Sequence, residues 1–269
     1  MGPAKYYLGD SKHAEGIHIA NGQMLNTQHI NKFGYNAGVP SSWELIAVDS
    51  NNITYPTTAG VVSLVSTHAD DDGTDLANEG AFTVKIDGLD ANYNEQSVTV
   101  TLTGQSAVTT AGLGSEGADI TFIRVFRMSV ESSYDSDGAT GIITASIDGN
   151  VQASINPTYY NQTLQCNYTI PAGKTGYLIR MQATATKSNK TGMVGFFIKE
   201  FDDIDGSATT CWKVKQLVET FRNSTVVEFP VPIVIPEKTD CELRAKNVED
   251  NSLMSMGGTY DLLIVKNPD

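Results

Sequence analysis

The stretch Ala81–Leu102, AFTVKIDGLDANYNEQSVTVTL, decides the fold class. Its two ends, AFTVKID and QSVTVTL, alternate apolar and polar side chains at period two and are rich in Val, Ile and Thr, the pattern of half-buried β-strands. Between them lie Gly88, Asn92 and Asn94, residues suited to a reversal of the chain. The turn is expected at Ile86–Asp90, where Gly88 can take a positive φ. A second hairpin is expected at Ile147–Asn150, IDGN.

The same alternation recurs at Phe122–Val130 (FIRVFRMSV) and Gly176–Ala183 (GYLIRMQA). Helical periodicity is scarce. Trp212–Arg222 is the best helix candidate, but it lacks a capping box and its β-branched run continues to Val227, so it reads as a strand. The expected fold is all-β: two antiparallel β-sandwich or jelly-roll-like domains behind an extended N-terminal arm. The arm is placed at residues 1–44, the first sandwich at 45–130, a linker at 131–141 and the second, jelly-roll-like sandwich at 142–269. Glu131–Gly141, ESSYDSDGATG, is small and polar, as domain boundaries are. The first 40 residues show no sustained period, which suits an arm lying on a neighbouring subunit.

The chain has 269 residues, 18 Lys and Arg against 31 Asp and Glu, and a net charge of -13. Neutralising phosphates takes clustered cations, so neither nucleic acid nor an anionic membrane surface is an expected partner. The longest apolar runs, such as Phe229–Pro236 (FPVPIVIP), fall far short of a bilayer span, and Met1–Asp10 does not read as an export signal. Cys166, Cys211 and Cys241 form no CxxC pair and read as buried thiols.

Several motifs fail for stated reasons. Gly112, Gly114 and Gly117 fit G-x-G-x-x-G, but the loop opens into a strand rather than a helix, so no cofactor is expected. Gly9-Asp10-Ser11 resembles a lipase nucleophile block, yet the last histidine is His68, far from the end of the chain where the base should stand. His13, His18, His29 and His68 lack the spacing that sets two imidazoles on one face. Acidic turns recur at Asp70–Gly73, Asp135–Gly138 and Asp203–Gly206. The densest group, Asp70, Asp72, Asp75 and Glu79, is the candidate calcium site, since Ca²⁺ takes six to eight hard oxygens, though solvated turns explain the same residues. Glycoside hydrolysis needs a carboxylate pair that sequence spacing does not reveal. Two tryptophans are few for a sugar-stacking surface.

Six blocks occur in a recognisable order: HINKFGYNAGV (His29–Val39), GLDANYNEQSVTVTLTGQSAVTT (Gly88–Thr110), FIRVFRMSV (Phe122–Val130), YNQTLQCNYTIPAGKTGYLIRM (Tyr160–Met181), IPEKTDCELRA (Ile235–Ala245) and GGTYDLLIVK (Gly257–Lys266). In this order they resemble a family of virion structural proteins of marine tailed bacteriophages, with a departure at the Gly-rich Ala111–Ala118. The resemblance implies a non-enzymatic particle component, located in the virion, without catalytic residues. Its expected partners are copies of itself, a trimer suiting the local three-fold positions of a shell, and other virion proteins such as the major capsid protein. The expected role is capsid decoration. The alternative is a neck, tail or fibre protein that binds a host-surface glycan or adhesin through Lys187–Thr191 and Asp202–Thr210.

Overall fold

In the computed structural model the described residues are 12–49, 53–75, 77, 79–159, 161–185, 191–200, 211–221, 224–248 and 253–268. In chain order they form helix α1 (Lys12–Ala20) and strands β1 (Thr27–Val39), β2 (Glu44–Leu45), β3 (Gly60–Ser66), β4 (Ala81–Leu89), β5 (Glu95–Thr101), β6 (Val108–Thr109), β7 (Thr121–Phe122), β8 (Arg124–Ser133) and β9 (Ile143–Ile147). There follow β10 (Asn150–Ile155), β11 (Asn167–Thr169), β12 (Lys174–Ala185), β13 (Thr191–Lys199), β14 (Lys213–Phe221), β15 (Ser224–Ile235), β16 (Asp240–Asn247) and β17 (Met254–Lys266).

Period-two alternation buries one side of each long strand, and the buried sides meet in two main cores. In the larger, one sheet has the order β1-β17-β12-β15, and the other runs β11-β16-β13-β14 with β2 also on β16. Every pairing is antiparallel. This is the strand order of an eight-stranded jelly roll. Its core includes Phe196, Tyr168, Tyr260, Leu243 and Ile264. The smaller sandwich packs the sheet β10-β9-β3-β6, with β7 also on β3, against β5-β4-β8, around Leu64, Ile86, Phe122, Met128 and Ile143. The all-β, jelly-roll-like expectation agrees with this architecture.

The domain boundaries are corrected. β8 runs into residues 131–141, as far as Ser133, and shares the smaller core with β9 beyond them, so that segment is a strand end and a turn inside one sandwich and divides nothing. The supposed arm supplies α1 and β1, and β1 pairs with β17 of the same chain from Thr27↔Val265 to Val39↔Met254. The small sandwich is an insertion within the jelly roll. β2 and β11 lie end to end along β16, through Arg244↔Leu45 and Asn167↔Glu242. At the break Ile46 N–H donates to Leu243 C=O at 3.0 Å and Leu243 N–H donates to Cys166 C=O at 3.0 Å. Entry and exit are held together by the Ala47↔Gln165 bridge and by Val48 N–H on Leu164 C=O at 3.0 Å. One jelly-roll strand position is thus filled by two chain segments far apart in sequence, with the small sandwich between them.

Local expectations fared unevenly. Asp148 and Gly149 make the β9–β10 turn with φ of 49° and 77°. Trp212–Arg222 is extended, as β14. The first hairpin is corrected: β4 continues through Gly88, and the turn lies at residues 90–94, where Tyr93 has φ 64°. Gly88 is required for a different reason. A Cβ there would stand 2.0 Å from the Arg124 carbonyl oxygen, closer than atoms can pack.

Candidate functional site

The two sandwiches meet at a joint built by β8, β16 and the segment around Tyr55. A β-bulge on β8 aims the key side chains. Asp87 pairs with Arg127 and Gly88 with Val125, which leaves Phe126 as the extra residue. The alternation changes phase there, so Val125 and Met128 both enter the small core while Arg124 and Phe126 reach the jelly roll. Arg124 makes a bidentate pair with Asp240 of β16, Nε to Oδ1 at 2.7 Å and Nη2 to Oδ2 at 2.9 Å. Its Nη1 donates to the carbonyls of Pro56 and Ile123, both at 2.7 Å. The Tyr55 and Tyr93 rings lie 4.8 and 5.6 Å from the guanidinium. Burial opposes this cation, but the Asp240 carboxylate outweighs it and holds the guanidinium pKa above its ordinary value.

Next along β16, Glu242 is 3% exposed and accepts from Tyr55 Oη at 2.7 Å and Arg244 Nε at 2.5 Å. Burial raises its pKa, with Arg244 and Tyr55 acting in the opposite sense. Arg244 lies 4.1 Å over the Trp212 ring, and Lys246 5.1 Å over Trp43. Both tryptophans of the chain therefore sit on one sheet face, each with a cation of this chain over its ring. Asp240, Glu242, Arg244 and Lys246 occupy successive outward positions of β16, which is why the period-two face carries charges while Cys241, Leu243 and Ala245 fill the core.

Beside the joint lies a cleft of about 440 Å³ between β1 of the jelly roll and β4, β5 and β8 of the insertion. Lys32 projects from β1 and is 8% exposed. Its Nζ donates to the Phe126 carbonyl at 2.5 Å. Burial lowers the Lys32 amine to about 8, and the Arg127 charge pushes in the same direction. Arg127, Asp87, Glu95, Gln96 and Tyr168 also line the cleft.

The candidate calcium residues do not converge, and that expectation is corrected. Asp72 Oδ1 accepts from Thr74 N–H and Oγ1 at 2.8 and 2.6 Å, Asp75 accepts from Ala77 N–H at 3.0 Å, and Asp70 lies 3.6 Å from His68. Glu79 is exposed, and its backbone carbonyl accepts from Thr140 Oγ1 at 3.5 Å. Among the described residues no three His, Cys, Asp or Glu side chains gather as ion ligands. Asp72 and Asp75 make Asx turns, and the structurally important carboxylate is Asp71, which the sequence reading passed over. It is 0% exposed and accepts from Ala81 and Thr140 N–H at 2.9 and 2.8 Å, from Gly141 N–H at 2.8 Å, and from the Ser66 hydroxyl. Gly80 was the available signal, since a Cβ there would come within 2.5 Å of Asp71 Oδ1.

Other candidates are dispersed. His29 Nε2 meets Asp261 at 3.0 Å, and His18 bonds Gln23. Cys166 and Cys241 are buried, with burial pushing both thiols up, whereas Cys211 is exposed, contrary to expectation. The Gly112–Gly117 loop leads into β7, a strand, as expected. Gly9–Ser11, Asp203–Gly206, residues 187–190 and residues 202–210 lie outside the described residues.

No family model and no curated protein matches the chain. Among solved structures it is similar to infectious bursal disease virus, Gt strain, with a TM-score of 0.25 and 8% identity over 90% of this chain and 73% of that one. It is also similar to T=1 particles derived from the same virus, with a TM-score of 0.23 and 11% identity over 90% of this chain and 70% of that one. Its similarity to the VP2 subviral particle of that virus has a TM-score of 0.21 and 8% identity, over 90% and 72% of the two chains.

Proposed function

We propose that the chain is a non-enzymatic virion structural protein that decorates and stabilises a tailed-phage head shell, with copies of itself and the major capsid protein as partners. The ordered sequence blocks support this reading, and so does a jelly-roll body, an architecture that viral shells use. The observation that carries it is the flank formed by β14 and β15, an edge strand of each jelly-roll sheet. Val214, Leu217, Val226, Val231 and Val234 are all exposed there, Val231 by 84%. Val231 stands at the tip of a bulge in which residues 229–232 oppose the single Ile179 of β12, and Pro230 and Pro232 lack the N–H groups such a bulge would otherwise leave unpaired. A row of exposed valines on a strand edge suits burial against a second copy of the chain.

Sedimentation of the purified chain tests the contact. The expected result is concentration-dependent association that weakens at least about tenfold in a Val231→Glu, Val234→Glu variant; a monomer at all concentrations counts against it. Immunogold labelling of particles tests the location. Gold spread over the head supports decoration, whereas gold at one vertex favours the neck, tail or fibre reading.

A further inference from the structure

We infer that the cleft between β1 and the β4-β5-β8 sheet binds a carboxylate-bearing sugar, of the hexuronate or sialate type, with its carboxylate between Lys32 and Arg127. This goes beyond the structural role and does not depend on where the chain sits in a particle.

The charges in the cleft are unevenly matched. Its two carboxylates are already paired with lysines, Asp87 with Lys85 at 3.0 Å and Glu95 with Lys174 at 2.5 Å. Its two cations make no ion pair with a carboxylate among the described residues, although Asp87 lies near enough to Lys32 to favour its charge. Arg127 Nη2 donates to Gln162 Oε1 at 2.8 Å, and Lys32 Nζ donates to one backbone carbonyl. An ammonium has three protons to share, and a buried cation without a counter-ion costs free energy that an incoming anion would recover. Lys32 is more than nine-tenths buried and lines the cleft, so the recovery would occur there. Arg127 is exposed at the rim and supplies the planar fork that fits a carboxylate.

The remaining lining selects for a sugar over a simple anion. Ser97 offers a hydroxyl and Gln96 an amide oxygen and its second N–H, the first being donated to the Thr121 carbonyl, for ring hydroxyls, while Phe126 and Tyr168 present apolar surface. A volume of about 440 Å³ lies within the range of small-molecule sites, and the position between two sandwiches is where such sites concentrate.

Saturation-transfer NMR on the full chain at pH 7 and low salt is the test, with glucuronate, N-acetylneuraminate, glucose and acetate as probes. The expected result is transfer to at least one acidic sugar, none to glucose, and affinity for acetate at least about tenfold weaker. Arg127→Gln should weaken the sugar about tenfold with the unfolding midpoint unchanged, and Lys32→Met should weaken it to a similar extent. Should Lys32→Met fail to fold, Ser97→Trp, which fills the cleft from its edge, replaces it and should abolish transfer. The inference is overturned if neither acidic sugar binds up to about 20 mM, if acetate binds as tightly as the sugars, or if Arg127→Gln leaves binding unchanged.

Discussion

Asp71 and Asp240 are both buried, at 0% and 3% exposure, and are held in opposite ways. Asp71 is surrounded by neutral donors, the N–H groups of Ala81, Thr140 and Gly141 and the Ser66 hydroxyl, all within the small sandwich. Asp240 takes a full cation from the other sandwich, Arg124, and a hydroxyl from Thr169 at 2.7 Å. Backbone dipoles stabilise a carboxylate by closing loops around it, and their reach ends with those loops. A bidentate ion pair spans two bodies and fixes their relative orientation. The first arrangement therefore belongs to the integrity of one sandwich, and the second to the rigidity of the whole chain.

Breaking the pair at the joint should have the larger effect. Arg124→Met leaves the Asp240 charge buried without compensation and should cost about 3–5 kcal/mol in urea unfolding. It should also separate the transitions of the two sandwiches, seen as non-coincident fluorescence and circular-dichroism curves. Asp71→Asn should cost about 2 kcal/mol, because an amide group would face N–H donors it cannot accept from. The damage should stay local: amide exchange should quicken at Ala81, Thr140 and Gly141 and stay unchanged along β12 and β17.

Lys32 sharpens the comparison as a buried charge with neither arrangement. Its amine is lowered by burial to about 8, against about 10.4 in an unfolded chain. Below pH 8 both states hold the proton and the burial penalty is fully present. Between the two values the unfolded chain binds more protons, so stability rises with pH. Lys32→Met should remove this component, and comparing urea midpoints of the two proteins at pH 7, 9 and 10 measures it.

Much of the fold was legible because strands announce themselves through side chains that alternate locally. The turn at Asp148–Gly149 was readable for the same reason: the residues that need positive φ are the ones that adopt it. Gly88 misled because its necessity comes from the Arg124 carbonyl, a neighbour 36 positions along the chain that no local pattern reports. β1 escaped notice since Gly34, Asn36 and Gly38 interrupt its alternation. Gly34 owes its place to the Ile46 carbonyl, 2.3 Å from where a Cβ would stand. The nesting of the sandwiches was illegible on principle. The segments that form one strand position, around Ile46 and Cys166, are ordinary strand residues whose shared partner is Leu243. The site shared that difficulty. Asp71 and its two acidic neighbours read alike in sequence, and only the loops arriving from Ala81 and Thr140–Gly141 set it apart.

The nested order of strands gives the chain a timetable during synthesis. β3 to β10 form a continuous run, so the small sandwich can fold once residue 155 is clear of the ribosome. β1 must wait for β17, whose last residue is Lys266, on the order of ten seconds later at ordinary elongation rates. Until then the jelly roll lacks the strand between β1 and β12, and the valine-bearing edge of β15 belongs to an unfinished sheet. A chain built in this order completes its jelly roll only when its own last strand is in place.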